Sequence, residues 1–196
     1  MIANTQAIIS VDPATSQATV ISSGAGVRVP LGIALTDTGG LFVLSTGAAK
    51  EILQVNPKNG SQQVVSRDGY FKNPQSIAIR GTDLYVTDVA TADGNFGVGR
   101  VIHVDVQTGT QTVVSEEGNL VGPVGIAIDD NGQLIVGDPY TINPASQDLY
   151  DGGVIRIDPS TGAQILLARG QGSHVNPRGV AVVPAAKVAK LARYRR

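Results

Sequence analysis

The chain has 196 residues and a net charge of −1, with 42% hydrophobic, 16% charged and 4% aromatic residues, 24 glycines, 10 prolines, no cysteine and no tryptophan. The apolar content supports a folded core and the glycine and proline content argues against a helix bundle; without cysteine, and with only His103 and His174, disulfide frameworks, thiolate metal sites and three-histidine centres are excluded. Lys187, Lys190, Arg193, Arg195 and Arg196 crowd the last ten positions with no acid among them, so the body of the chain is acidic and no nucleic-acid partner is expected.

In chain order, the first recognisable element is IISVDPATSQATVIS, two β-rich runs about a turn anchored at Asp12. PLGIAL follows at Pro30 and LFVLS at Leu41, and the opening pattern then returns as ILQVNPKNGSQQVVS, anchored at Asn56. The set repeats as PQSIAI (Pro74), LYVTD (Leu84) and VIHVDVQTGTQTVVS (Asp105), and again as PVGIAI (Pro123), LIVGD (Leu134) and VIRIDPSTGAQILLA (Asp158). PRGVAV at Pro177 begins one more. The prolines lie 44, 49 and 54 residues apart and the Asp or Asn anchors 44, 49 and 53, so two independent markers drift together, the signature of an internal repeat.

Each repeat reads as four short strands, here a (Gly-Ile-Ala), b (LxV), c (IxxVD) and d (QTVVS), rich in β-branched residues and bounded by turn residues. In the c–d turn, Pro13, Pro57 and Pro159 preset the first corner, the preceding Asp or Asn can cap it, and Gly60, Gly109 and Gly162 supply positive φ; Ser16 and Val106 depart from the pattern. Four-stranded antiparallel units of this length fit the blades of a propeller, which bury both faces against their neighbours. The sequence therefore predicts an all-β fold, a β-propeller of about four blades, each a four-stranded antiparallel meander. Residues 1–22 form a partial blade, residues 30–66, 74–115 and 123–168 whole blades, and 177–183 a closing strand, so the closing blade is shared between the two termini. The basic segment 185–196 reads as a tail, a helix or a last strand. Three arrangements satisfy such ends: a closed four-blade monomer, a fragment of a larger propeller, or a homodimer that completes a larger ring.

The motifs PxGIAxxxxGxLxVxD and IxxVDPxTGxQTVVS resemble the blade repeats of bacterial NHL-type and gluconolactonase-like β-propellers over about 180 of the 196 residues. The resemblance implies a superfamily of enzymes and binding modules, and an extracellular or periplasmic setting; MIANTQAIISVD carries neither the basic start nor the apolar stretch of a signal peptide, and no run is long enough to span a membrane. Gluconolactonase-like enzymes hold a divalent metal partly through an Asn-Gly start of strand a. The corresponding dipeptides here are Leu31-Gly32, Gln75-Ser76, Val124-Gly125 and Arg178-Gly179, without the asparagine. The Trp-Phe-Thr-Glu end of strand b found in streptogramin-lyase-like propellers is absent, and two histidines cannot reproduce the metal site of amidoglycolate lyases.

Function is expected on one face. From Leu41 to Val55, Leu84 to Val104 and Leu134 to Ile157 the b-to-c separation grows from 14 to 20 to 23 residues, so insertions accumulate in the b–c loops. These loops and their flanks hold Asp88, Asp93, Asn95, Asp138, Tyr140, Asp148, Tyr150 and Asp151, and His174 approaches the same face from the loop before the last strand a. Oxygen-rich loops suit calcium, with Asp88 and Asp138 the candidate metal ligands, or are ordinary turn chemistry; the tyrosines suit a carbohydrate or peptide groove, or pack at the blade edge. The favoured expectation is a non-catalytic module that binds a protein, a small molecule or a carbohydrate. The alternative is a metal-dependent lactonase- or lyase-like enzyme.

Overall fold

The computed structural model describes residues 2–4, 6–47, 49–89, 98–141, 152–170 and 176–183. Their fifteen strands form four antiparallel sheets. Blade I comprises β4 (Pro30–Leu35), β5 (Leu41–Ser45), β6 (Glu51–Val55) and β7 (Gln62–Arg67). Blade II comprises β8 (Pro74–Arg80), β9 (Asp83–Val89), β10 (Gly99–Asp105) and β11 (Gln111–Glu116). Blade III comprises β12 (Gly125–Ile128), β13 (Leu134–Asp138), β14 (Gly153–Ile157) and β15 (Gln164–Arg169). The N-terminal sheet has β1 (Ile2–Asn4), β2 (Ala7–Val11) and β3 (Ala18–Ser23). Every sheet is a meander, and strands a, b, c and d follow one another from the inner to the outer edge.

Both faces of β5 are buried, which is why its first four residues, LFVL, are all apolar instead of alternating. Leu41 and Val43 pack with Ile8, Leu53 and Val55 between the N-terminal sheet and blade I. Phe42 and Leu44, on the other face, join Ile77, Leu84, Val86, Ile102 and Val104 between blades I and II. Leu134, Val136, Ile155 and Ile157 fill the next seam with Leu120 and Ile126. The inner strands press closely enough that a Cβ on Gly32 would lie 3.1 Å from the Ile77 nitrogen. Residues 176–183 belong to no strand ladder, yet they occupy the corresponding place beyond blade III: a Cβ on Gly125 would meet the Arg178 carbonyl at 2.9 Å and Gly179 Cα at 3.0 Å.

The N-terminal sheet differs from the two-strand expectation. β1 pairs with β2 in register Ile2↔Ile9 and stands beside β4 as β5 stands beside β8, so the N-terminus supplies strand b of its blade as well as c and d. The tail, helix or last strand read for 185–196 lies outside the described residues. The far side of this sheet is open: Val11 is 37% exposed, whereas its counterparts Val55, Val104 and Ile157 are at most 1% exposed.

The c–d turns follow the chemistry their residues dictate. Asp12, Asn56, Asp105 and Asp158 each accept a backbone N–H two residues on, from Ala14, Lys58, Gln107 and Ser160, at 2.8–2.9 Å. Gly60, Gly109 and Gly162 have φ of 72–73° and Ser16 has φ 58°.

These turns also join the blades. Ser22, Ser66 and Ser115, near the ends of their d strands, donate to the carbonyls of Gly60, Gly109 and Gly162 in the following blade at 2.7–2.8 Å. Gln62, Gln111 and Gln164 return a side-chain N–H to the same serines at 2.9–3.0 Å, and their Oε1 atoms accept the N–H of Gly26, Tyr70 and Asn119. The series stops at blade III. Ala168 stands where the serine would be, and the N-terminal turn offers Ser16 and Ala18 in place of the glycine and glutamine.

A Cβ at Gly109 would collide with the Val65 carbonyl oxygen in a backbone conformation that already disfavours side chains. Gly109→Ala should therefore cost at least about 2 kcal/mol. Ser16→Gly, at an exposed turn, should stabilise by about 0.5–1 kcal/mol. Urea denaturation of both variants checks the pair.

Candidate functional site

Where strand b ends and strand c begins, the three whole blades carry different side chains on one scaffold. The register places Ser45 opposite Glu51, Asp88 opposite Arg100 and Asp138 opposite Gly153. On the next strand, Arg67, Glu116 and Arg169 continue the rows. This is the end of the sheets from which the long b–c connections leave.

At this end a residue at or next to the end of strand b (Ser45, Asp88 or Asp138) holds the loop that enters strand a of the same blade. Ser45 Oγ donates to the Gly26 carbonyl at 2.7 Å and accepts the Arg28 N–H at 3.3 Å. Asp88, fully buried, accepts the N–H groups of Lys72 and Asn73 through Oδ2 at 2.8 and 3.1 Å, and its Oδ1 lies 3.5 Å from Arg100 Nε. Asp138, also fully buried, accepts Val121 N–H at 2.8 Å and Gly122 N–H at 3.0 Å through Oδ2, and Tyr140 N–H at 2.8 Å through Oδ1. A carboxylate suits this position because it accepts several N–H groups that no strand partner reaches.

Burial pushes both carboxyls above the usual carboxylate range. Backbone N–H donors oppose it at Asp138; the Lys72 and Asn73 N–H groups and the Arg100 charge oppose it at Asp88. The turn aspartates show the opposite balance. Asp12 and Asp105 are lowered chiefly by backbone N–H groups, and Asp158 chiefly by the Ser160 hydroxyl.

Of the residues expected at the site, Asp88, Asp138 and Tyr140 are thus at the b–c end, with the two carboxylates facing into their own blades. The Tyr140 ring lies over Gly122, where an added Cβ would approach its Cδ2 to 2.6 Å, so this tyrosine packs at the blade edge. Asp93, Asn95, Asp148, Tyr150, Asp151 and His174 lie outside the described residues. Among the described residues, no three His, Asp or Glu side chains gather as a metal site would need.

One pair escaped sequence reasoning. His103 Nε2 lies 2.8 Å from Asp83 Oδ1, and its ring is 5.3 Å from that of Tyr85. The b–c register, Asp105↔Asp83 and His103↔Tyr85, brings them together; only strand pairing links residues twenty positions apart.

No known family profile matches the chain, and no curated protein does. Solved structures do match in fold. A chain of a nidogen/laminin complex is 16% identical, with a TM-score of 0.68 over 90% of this chain and 63% of that one. TolB from Acinetobacter baumannii is 15% identical, with a TM-score of 0.61 over 83% and 38%. The PQQ-bound aldose sugar dehydrogenase from Streptomyces coelicolor is 18% identical, with a TM-score of 0.53 over 82% and 51%. The chain spans less than two thirds of the length of each. Together with the four stacked meander sheets, these likenesses define the fold as a β-propeller. Among the described residues, no helix is long and apolar enough to cross a membrane.

Asp138→Ala leaves three buried N–H groups without their acceptor and should cost about 2–4 kcal/mol. A carboxyl raised on folding favours the folded state most below its unfolded value and loses that contribution as pH rises through the folded value. The stability of the wild type relative to Asp138→Asn should accordingly fall as pH rises from the ordinary 3.8 upward. Denaturant titrations at several pH values check both expectations.

Proposed function

We propose that the protein is a non-catalytic propeller module with NHL-type blades, which presents the b–c connections of blades II and III to a protein or carbohydrate ligand. One observation carries this reading: the connections spanning 90–98 and 139–152 leave the same end of adjacent blades, where blade I needs only 46–50. Each long connection springs from a strand end fixed by a buried aspartate, Asp88 or Asp138. Binding loops gain affinity when their stems are rigid, because less ordering is required on contact. The occurrence of this fold in a nidogen/laminin complex supports the protein-ligand arm.

A metal-holding role for Asp88 and Asp138 is not part of the proposal. Their carboxylates already satisfy backbone N–H groups, and turning toward a cation would strand those donors. A dimer joined through the chain ends is left out as well, because Ala168 supplies no hydroxyl and Ala18 no side-chain amide for the serine–glutamine contact.

Replacing 90–97 and 142–151 with the short connection of blade I should abolish binding on glycan and peptide arrays while preserving the melting temperature. Neither calcium-dependent lactone hydrolysis nor a melting shift at millimolar calcium is expected. Lactone turnover lost with the two loops would overturn the non-catalytic reading. Sedimentation at micromolar concentration should give a monomer, and a stable dimer would show that the ends associate without that contact.

A further inference from the structure

The three seams between described blades share one frame, so they can be compared position by position. In each, a glutamine accepts an N–H from the connecting loop, and the end of strand b holds another N–H two residues on. These bonds make Gly26, Tyr70 and Asn119 equivalent, and likewise Arg28, Lys72 and Val121. Register makes Glu51, Arg100 and Gly153 equivalent, and Ser23, Arg67 and Glu116 follow the clasp serines in each repeat.

The first seam thus carries Ser23, Gly26, Arg28 and Glu51, and the third Glu116, Asn119, Val121 and Gly153. The middle seam, between blades I and II, carries Arg67, Tyr70, Lys72 and Arg100. No requirement of the frame explains this: the other two seams form the same clasp without an aromatic side chain or three cations. Here the groove opens to about 740 Å³, within the range of about 300–1,000 Å³ typical of small-molecule sites.

Its charges are incompletely matched. Arg67 reaches Glu51 at 2.6 Å, and Lys72 Nζ donates to the Gly69 carbonyl at 3.3 Å. Arg100 lies deep, with 12% of its side chain exposed, and faces Asp88 Oδ1 at 3.5 Å. Among the described residues, neither Arg100 Nε nor Asp88 Oδ1 completes a hydrogen bond. With its Nε turned toward Asp88 at 3.5 Å, the Arg100 guanidinium is paired but not hydrogen-bonded there, which leaves its charge only partly compensated. Tyr70 and Val64, 47% and 44% exposed, supply an apolar face beside the cations.

We propose that this groove binds a small organic anion, a carboxylate or phosphate ester carried on an apolar ring or chain. The acid lies against Lys72 and Arg100, and the apolar part against Tyr70 and Val64. These residues lie on β7, β10 and the loop entering β8, outside the 90–98 connection although Arg100 borders it, and the proposal does not rest on the function of the b–c connections.

The test is titration of benzoate, phenyl phosphate and inorganic phosphate into the full chain at low salt, followed by calorimetry and amide chemical shifts. Lys72 and Tyr70 hold the frame through their backbone N–H groups, and the only further contact of the Lys72 side chain is its exposed 3.3 Å bond to the Gly69 carbonyl, so Lys72→Ala and Tyr70→Ala should remain folded. Expected is saturable binding of benzoate, phenyl phosphate or both, stronger than that of inorganic phosphate and weakened about tenfold by either substitution. The preferred head group distinguishes carboxylate from phosphate. The variant with shortened b–c connections should retain this binding, which separates the proposal from the loop-face function. The proposal is overturned by no saturation at about 10 mM, by equal binding of inorganic phosphate, or by affinity indifferent to both substitutions.

Discussion

A serine hydroxyl near the end of one outer strand, bonded to a glycine carbonyl in the next blade's hairpin, is the contact on which the array depends. Apolar packing drives the sheets together but is not directional, and by itself it would tolerate sliding between them. The Ser66–Gly109 bond, and its equivalents at Ser22 and Ser115, fixes how far the outer edge of each blade advances over the next. Glutamine then carries that register into the connecting loop, whose N–H groups it shares with the end of strand b. Each bond contributes about 0.5–1.5 kcal/mol net. Their joint effect is that outer edge, turn and loop are positioned as one unit.

Aspartate serves this frame in two physical settings. In the exposed c–d turns, a carboxylate gains N–H or hydroxyl donors with little loss of hydration, so its charged form is favoured. At the ends of β9 and β13 the same side chain is buried, and desolvation outweighs the donors it collects. The second setting is retained although the charge is costly, since no neutral side chain offers as many acceptor positions to a loop lacking a strand partner. Ser45, with one hydroxyl, does the equivalent work in blade I, where it accepts one loop N–H and donates to one loop carbonyl.

Much of the fold was legible because the repeat exposes it. Strands a to d of blades I to III fall where Pro30, Pro74 and Pro123 and the turn anchors place them, and the glycine positions of the c–d turns have the expected positive φ. β1 was not legible: Ile2–Asn4 is three residues long and shares no motif with LFVLS or LYVTD. The site was harder to read than the fold. Asp88 and Asp138 border Asp-rich loops and invite a cation reading, and only the path of the entering loop shows that backbone N–H groups claim them first. The glutamine and serine of β7 and β11 stand in plain view as QxxxS, but that spacing is also ordinary strand alternation. Their pairing between blades follows from stacking, which local sequence does not encode.

The missing contact at the two ends has a consequence for growth. Stacked repeats whose last edge matched their first hairpin would present every copy with a complementary end, and unless the rotation closed, addition would continue into filaments. Ala168 lacks the hydroxyl donor and Ala18 the glutamine amide, while Ser16, at φ 58°, keeps the backbone carbonyl and the turn conformation of the glycine. Two alanines, Ala168 and Ala18, therefore lower the complementarity between the outer edge of blade III and the N-terminal turn, while the described internal seams keep theirs.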